Sequence, residues 1–133
     1  MTLSTLRFHK NDIHDIHPGA FEVLRGLKIL MITSERLKYL SSLIYRGLND
    51  LEMLILDNND INFNIYSQCN LTENVEDIPI VLPKLKWFSL AGNPLTIVPE
   101  QMWAGLRRSP LNTIDLKSCA LEDIHPGMDI LYF

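Results

Sequence analysis

From Leu51 to Ile61 the chain reads LEMLILDNNDI, with apolar residues at the first, fourth, sixth and eleventh places and Asn59 at the ninth. The same pattern returns in LSTLRFHKNDI from Leu3, LKILMITSERL from Leu27, LKWFSLAGNPL from Leu85 and LNTIDLKSCAL from Leu111. The five starts are separated by 24, 24, 34 and 26 residues. A period of this length marks a stack of similar units, none of which can bury its apolar face alone. Alternation around the fourth and sixth places, as at Leu54 and Leu56, predicts a short strand with one face turned inward. Strands of successive units then pair in parallel about 4.8 Å apart, so five units make a curved rod roughly 20–25 Å long. The expected fold is an α/β repeat solenoid, a section of a right-handed horseshoe. Its concave side is a parallel sheet, and its convex side is irregular, 3-10 or short helical. A single array is expected to fill residues 1–133.

The resemblance between units continues beyond the eleventh place. Three places on stands an apolar column of Ile16, Leu40, Val98 and Ile124, with Asn64 the exception. Next come the aromatic residues Phe21, Tyr45 and Trp103, expected as a spine on the convex side, and then Leu24, Leu48 and Leu106, with Tyr132 closing the fifth unit. The ninth-place residues Asn11, Asn59 and Asn93 form an expected asparagine ladder. Turned inward where the chain leaves the strand, each amide satisfies backbone groups that would otherwise be buried unpaired. Cys119 stands in as a substitute, whereas Glu35 is expected to open the ladder locally. Leu3, Leu6 and Phe8 at one end, and Ile114, Leu116 and Leu121 at the other, are expected to present bare apolar edges. Solenoids close such edges with polar-faced caps. None is visible in the pattern, so the chain is expected to be an interior slice of a longer array.

The third unit carries about ten extra residues within 62–81. They are expected on the convex side or its edge, as a surface loop or as an insertion that contacts a partner or forms a dimer. This segment holds the sequon Asn70-Leu71-Thr72 beside Cys69. Asn70 is a candidate N-glycosylation site if the chain is secreted, although so short a pattern also arises by chance.

The recurring motif LxxLxLxxNxL resembles that of leucine-rich repeat proteins, and the likeness covers essentially the whole chain. Units of about 24 residues with the trailing element IHPGAFEVL, Ile16 to Leu24, are similar to the extracellular "typical" class of Toll-like receptors, Slit-type guidance proteins and matrix proteoglycans. The stretch LRRSPLNTIDLKSCALEDIHPG, Leu106 to Gly127, looks most like Toll-like receptor ectodomains. That resemblance implies a non-enzymatic module that senses microbial or endogenous ligands, with receptor dimerisation, on the cell surface. The signalling domain and membrane span of such a receptor lie outside this chain. Two alternatives remain open: another secreted or cell-surface adhesion or guidance protein, and a cytoplasmic scaffold beginning at Met1. The resemblance transfers no ligand-contact residue.

Candidate contacts come instead from the outward places of the strands. The third-place column reads Thr5, Ile29, Met53, Trp87, Thr113 and the fifth-place column Arg7, Met31, Ile55, Ser89, Asp115. In the middle units Ile29, Met31, Met53, Ile55 and Trp87 combine into one apolar group, a candidate partner-binding patch on the concave face. Beside it Lys28, Glu52 and Lys86 alternate in sign across neighbouring strands. The plainer alternative is that repeat strands tolerate outward apolar residues, or that another part of the full protein covers them.

Composition narrows the remaining classes. A net charge of −4 does not suit a nucleic-acid surface, which needs clustered Lys and Arg, and Arg107–Arg108 is only a doublet. No run of 18 apolar residues exists to span a membrane. MTLSTLRFHKND lacks the apolar core of a secretory signal, so either the protein is cytosolic as written or its real beginning is missing. Cys69 and Cys119 leave pairing, free thiols and outside partners all open. The stretch HDIHPG, His14 to Gly19, and its near copy EDIHPG, Glu122 to Gly127, invite a metal reading. Yet His17 and His125 are equivalent places of the first and fifth units, roughly 20 Å apart by strand spacing. They read as solvated histidines of Pro-Gly turns. No nucleophile triad, phosphate loop or HExxH pattern is present, and no enzyme activity, metal or cofactor is expected.

Overall fold

The computed structural model describes residues 2–38, 42–62, 82–98 and 105–121. The long third-unit segment with Cys69 and Asn70, together with Leu40, Trp103, His125 and Tyr132, lies outside the described residues.

Five short strands carry the alternating segments: β1 (Thr5–His9), β2 (Ile29–Thr33), β3 (Met53–Ile55), β4 (Trp87–Ser89) and β5 (Thr113–Asp115). They form one sheet in the order β1-β2-β3-β4-β5, every pair parallel. Thr5, Ile29, Met53, Trp87 and Thr113 are successive partners, so the third places of all five units fall in one row. This is a parallel-sheet solenoid with little helix. A 3-10 helix, Ser42–Tyr45, lies in the return segment of the second unit.

The inward places build the core. Leu27, Leu30, Ile32 and Leu37 of one layer, Leu51, Leu54, Leu56 and Ile61 of the next, and Leu85, Phe88, Leu90 and Leu95 beyond are all buried in one cluster. Fully burying such a side chain stabilises by about 1.5–3 kcal/mol, and each layer gains this only because its neighbour supplies the opposite wall. Phe21 and Tyr45 are buried from the return side, Phe21 with its ring centroid 6.5 Å from that of Phe8.

The two ends differ. Leu3 is 46% exposed, and Leu6 and Phe8 are half-buried. At the other end, against expectation, Ile114 and Leu116 are buried and Leu121 is half-buried. The reason is packing: the first two join the same core cluster, and Leu121 packs against it.

Backbone bonds between layers extend past the strands. The carbonyl of each second-place residue accepts two N–H groups from the following layer, as Lys28 does from Glu52 (2.9 Å) and Met53 (3.0 Å). At the strand exit the eighth-place N–H reaches the seventh-place carbonyl of the next layer, as Asn58 to Ala91 (2.8 Å) and Gly92 to Lys117 (2.8 Å). To aim that N–H, the eighth residue is left-handed in every unit: Lys10 (φ 59°), Ser34 (54°), Asn58 (56°), Gly92 (72°) and Ser118 (57°). The column was not apparent from the sequence, because only one of its five members is glycine.

Candidate functional site

Of the ninth-place residues, Asn59 and Asn93 are buried and Asn11 is exposed. Asn93 Nδ2 donates to the carbonyls of Leu56 (2.9 Å) and Leu90 (2.8 Å). Its Oδ1 accepts the N–H groups of Asn59 and Ile61, each at 3.1 Å. Asn59 repeats the arrangement one layer earlier, donating to Ile32 O (2.8 Å) and Leu56 O (3.0 Å) and accepting Leu37 N–H (3.3 Å).

The expected opening at Glu35 does not occur. Glu35 is buried, and its carboxylate accepts the N–H groups of Asn11 (2.8 Å) and Ile13 (2.9 Å). These are the same two places that Asn93 serves in its neighbour. A carboxylate holds only acceptors, so Glu35 keeps the accepting half of the ladder and lacks the donating half. Cys119 supplies a donor, its Sγ donating to Leu90 O at 3.2 Å, and its sulfur also faces the backbone N–H groups of Asn93 and Gly92. Burial pushes the Cys119 thiol above its ordinary pKa. Asn11, in the first layer, donates to His9 O and Glu35 Oε2, each at 3.2 Å.

This scaffold fixes the concave face. Ile29, Met53 and Trp87 are consecutive partners in one row, and Met31 and Ile55 are partners in the next. Trp87 is 38% exposed, whereas Ile29, Met31 and Met53 are half-buried. Ile55 departs from the expectation of an outward contact. Between Met31 and Ser89 in register it is only 9% exposed, so it offers a partner little surface. Lys28, Ile29, Glu52, Met53, Lys86 and Trp87, with Asn112, line a shallow hollow of about 340 Å³.

The alternating charges are half realised. Lys86 Nζ pairs with Glu52 Oε1 at 3.1 Å, while Lys28 has no ion pair among the described residues. A second pair, Lys84–Asp50 at 2.8 Å, lies beside it. Its hydrogen bond and charge hold the Asp50 carboxyl below and the Lys84 ammonium above their ordinary pKa values. The sequence reading missed this pair. Positions 50 and 84 each precede the first place of their unit, so the stacking of β3 on β4 brings them together across a gap of 34 in sequence, and only the repeat phase signals it. Also missed was Asp57, whose Oδ1 accepts Ser89 Oγ and, at 3.1 Å, Ala91 N–H.

His17 is an exposed turn residue with Nδ1 2.9 Å from Pro18 O. His14 Nε2 and Asp12 Oδ1 are 4.0 Å apart, and Arg36 also reaches Asp12 at 3.4 Å. Among the described residues no cluster of three His, Cys, Asp or Glu could hold a metal, and no helix is long and apolar enough to cross a membrane. The arrangement offers contact surface and charge.

Compared with the curated proteins, the chain has no significant match. Residues 2–61 match the leucine rich repeat family. The layers begun in that stretch continue in register through β5, so the described residues fold as one parallel-sheet solenoid that matches a leucine-rich repeat architecture.

Proposed function

We propose that this protein-interaction module is a section of the ectodomain of a Toll-like pattern-recognition receptor. It acts outside the cell in innate immune signalling and takes a protein, microbial or endogenous ligand on its concave face. The receptor reading rests on the resemblance of the 24-residue units and of Leu106–Gly127 to that class. The binding reading rests on one observation: Trp87 stands 38% exposed at the end of a row shared with Ile29 and Met53. Tryptophan is among the side chains that most often anchor an interface.

Two measurements test this. Secreted from eukaryotic cells behind a supplied leader, the chain is expected to carry a glycan at Asn70, read by peptide mass spectrometry. Its binding to a panel of receptor ectodomains and microbial lipopeptides is expected to weaken at least about tenfold in Trp87→Ala with Met53→Ala, the circular dichroism remaining unchanged. Equal affinity of the double variant refutes the face assignment. An unmodified Asn70 makes the sequon a chance pattern and withdraws it from the extracellular reading.

A further inference from the structure

The fifth-place row runs Arg7, Met31, Ile55, Ser89, Asp115 across the five strands. Its ends carry opposite charges, and its middle carries none. Arg7 is exposed, Asp115 is half-buried, and neither has a salt bridge among the described residues. Among the described residues the Asp115 carboxylate accepts the backbone N–H of Lys117, at 3.0 Å. Four strand steps separate the two, which is roughly 19 Å at the spacing of paired strands. Between them, in the adjacent row, lies the hollow lined by Ile29, Met53 and Trp87.

We propose that the concave face binds a protein segment laid across the strands in one orientation. Its acidic end meets Arg7 on β1, a large apolar side chain enters the hollow, and its basic end meets Asp115 on β5. This rests on the concave-face reading above and adds the partner's chemistry and direction. A helix of about 13 residues or an extended stretch of about six spans the distance. Charges at the rim of an interface contribute more to orientation and encounter than to affinity, so the pair selects direction while Trp87 anchors. At the cationic end Lys10 lies three places past Arg7. At the other end Lys117 lies two places past Asp115, so the polarity belongs to the fifth-place row and not to the whole β5 edge. Asp57, in the seventh-place column, has its Oδ1 engaged by Ser89 Oγ and the Ala91 N–H.

Four synthetic helical peptides test the proposal against the full chain, followed by nuclear magnetic resonance titration at low salt. They share a leucine and phenylalanine centre and differ at their ends: Asp at one and Lys at the other, Asp at both, Lys at both, or Ser at both. The mixed-charge peptide is expected to bind about fivefold more tightly than the Ser-ended one. A nitroxide on its acidic end is expected to broaden the Thr5–His9 amides. In Arg7→Glu with Asp115→Lys the broadening moves to Thr113–Asp115. If the Ser-ended peptide binds equally, or both edges broaden alike, while Trp87→Ala still weakens all four peptides, the directional inference is overturned and the concave reading survives. If Trp87→Ala with Met53→Ala alters none of the four affinities, or no peptide binds at millimolar concentration, the concave reading fails as well.

Discussion

Asn93→Ala removes four hydrogen bonds at once: the N–H groups of Asn59 and Ile61 lose their side-chain acceptor, and the carbonyls of Leu56 and Leu90 each lose one donor, keeping Asn59 Nδ2 and Cys119 Sγ. Asn93 is 2% exposed, so water cannot replace the amide without opening the stack. At about 1 kcal/mol net for each bond, the loss approaches 4 kcal/mol if the four add. That is a large share of the stability of a small domain. Cys119→Ala removes one S–H bond at a half-buried position and should cost about 1 kcal/mol or less. Glu35→Ala falls between, at about 2 kcal/mol, because the N–H groups of Asn11 and Ile13 lie near an exposed edge. Urea denaturation followed by circular dichroism ranks the three. Amide exchange supplies the local readout, with Asn59 and Ile61 expected to lose protection in Asn93→Ala. If Asn93→Ala melts within error of Cys119→Ala, or the two amides stay protected, the ladder is not what holds the strand exits.

The remaining predictions concern separate parts of the stack. Gly92→Ala forces a Cβ onto the Asn58 side-chain oxygen at a φ of +72°, and is expected to destabilise by about 1–3 kcal/mol, whereas Asn58→Gly should be nearly neutral; equal denaturation midpoints would contradict the left-handed column. Leu54→Asp puts a charge at a position with 0% exposure and is expected to abolish cooperative melting of β2 to β4; a retained sharp transition would contradict the inward assignment. The Asp50–Lys84 pair contributes above the unfolded pKa of Asp50 and is lost as pH falls through its lowered folded value. It also contributes below the unfolded pKa of Lys84 and is lost as pH rises through the raised one. Asp50→Asn should therefore shift stability slightly at neutral pH and low salt and not at high salt; a shift indifferent to salt would remove the electrostatic explanation.

Several features of this protein were already written in one dimension. A repeat with Leu54 and Leu56 flanked by polar places can bury them only by stacking, so the sheet order, its parallel sense and the core residues follow from spacing. The row of Ile29, Met53 and Trp87 follows in the same way, since equal phase means adjacent strands. What spacing could not decide was how deeply a side chain sits once its neighbours arrive. Ile55 and Trp87 are both outward by place, yet Ile55 is covered between Met31 and Ser89 while Trp87 stands clear. Nor could residue type decide the fate of Glu35. Burying a carboxylate is unfavourable unless donors converge on it, and only the fold brings the Asn11 and Ile13 N–H groups to that point. The left-handed eighth residues are likewise products of the stack, whereas the alignment of Arg7 with Asp115 follows from equal phase alone. Periodicity determines which residues share a row; the tertiary structure determines what each of them meets there, because burial and hydrogen bonding depend on neighbours distant in the chain.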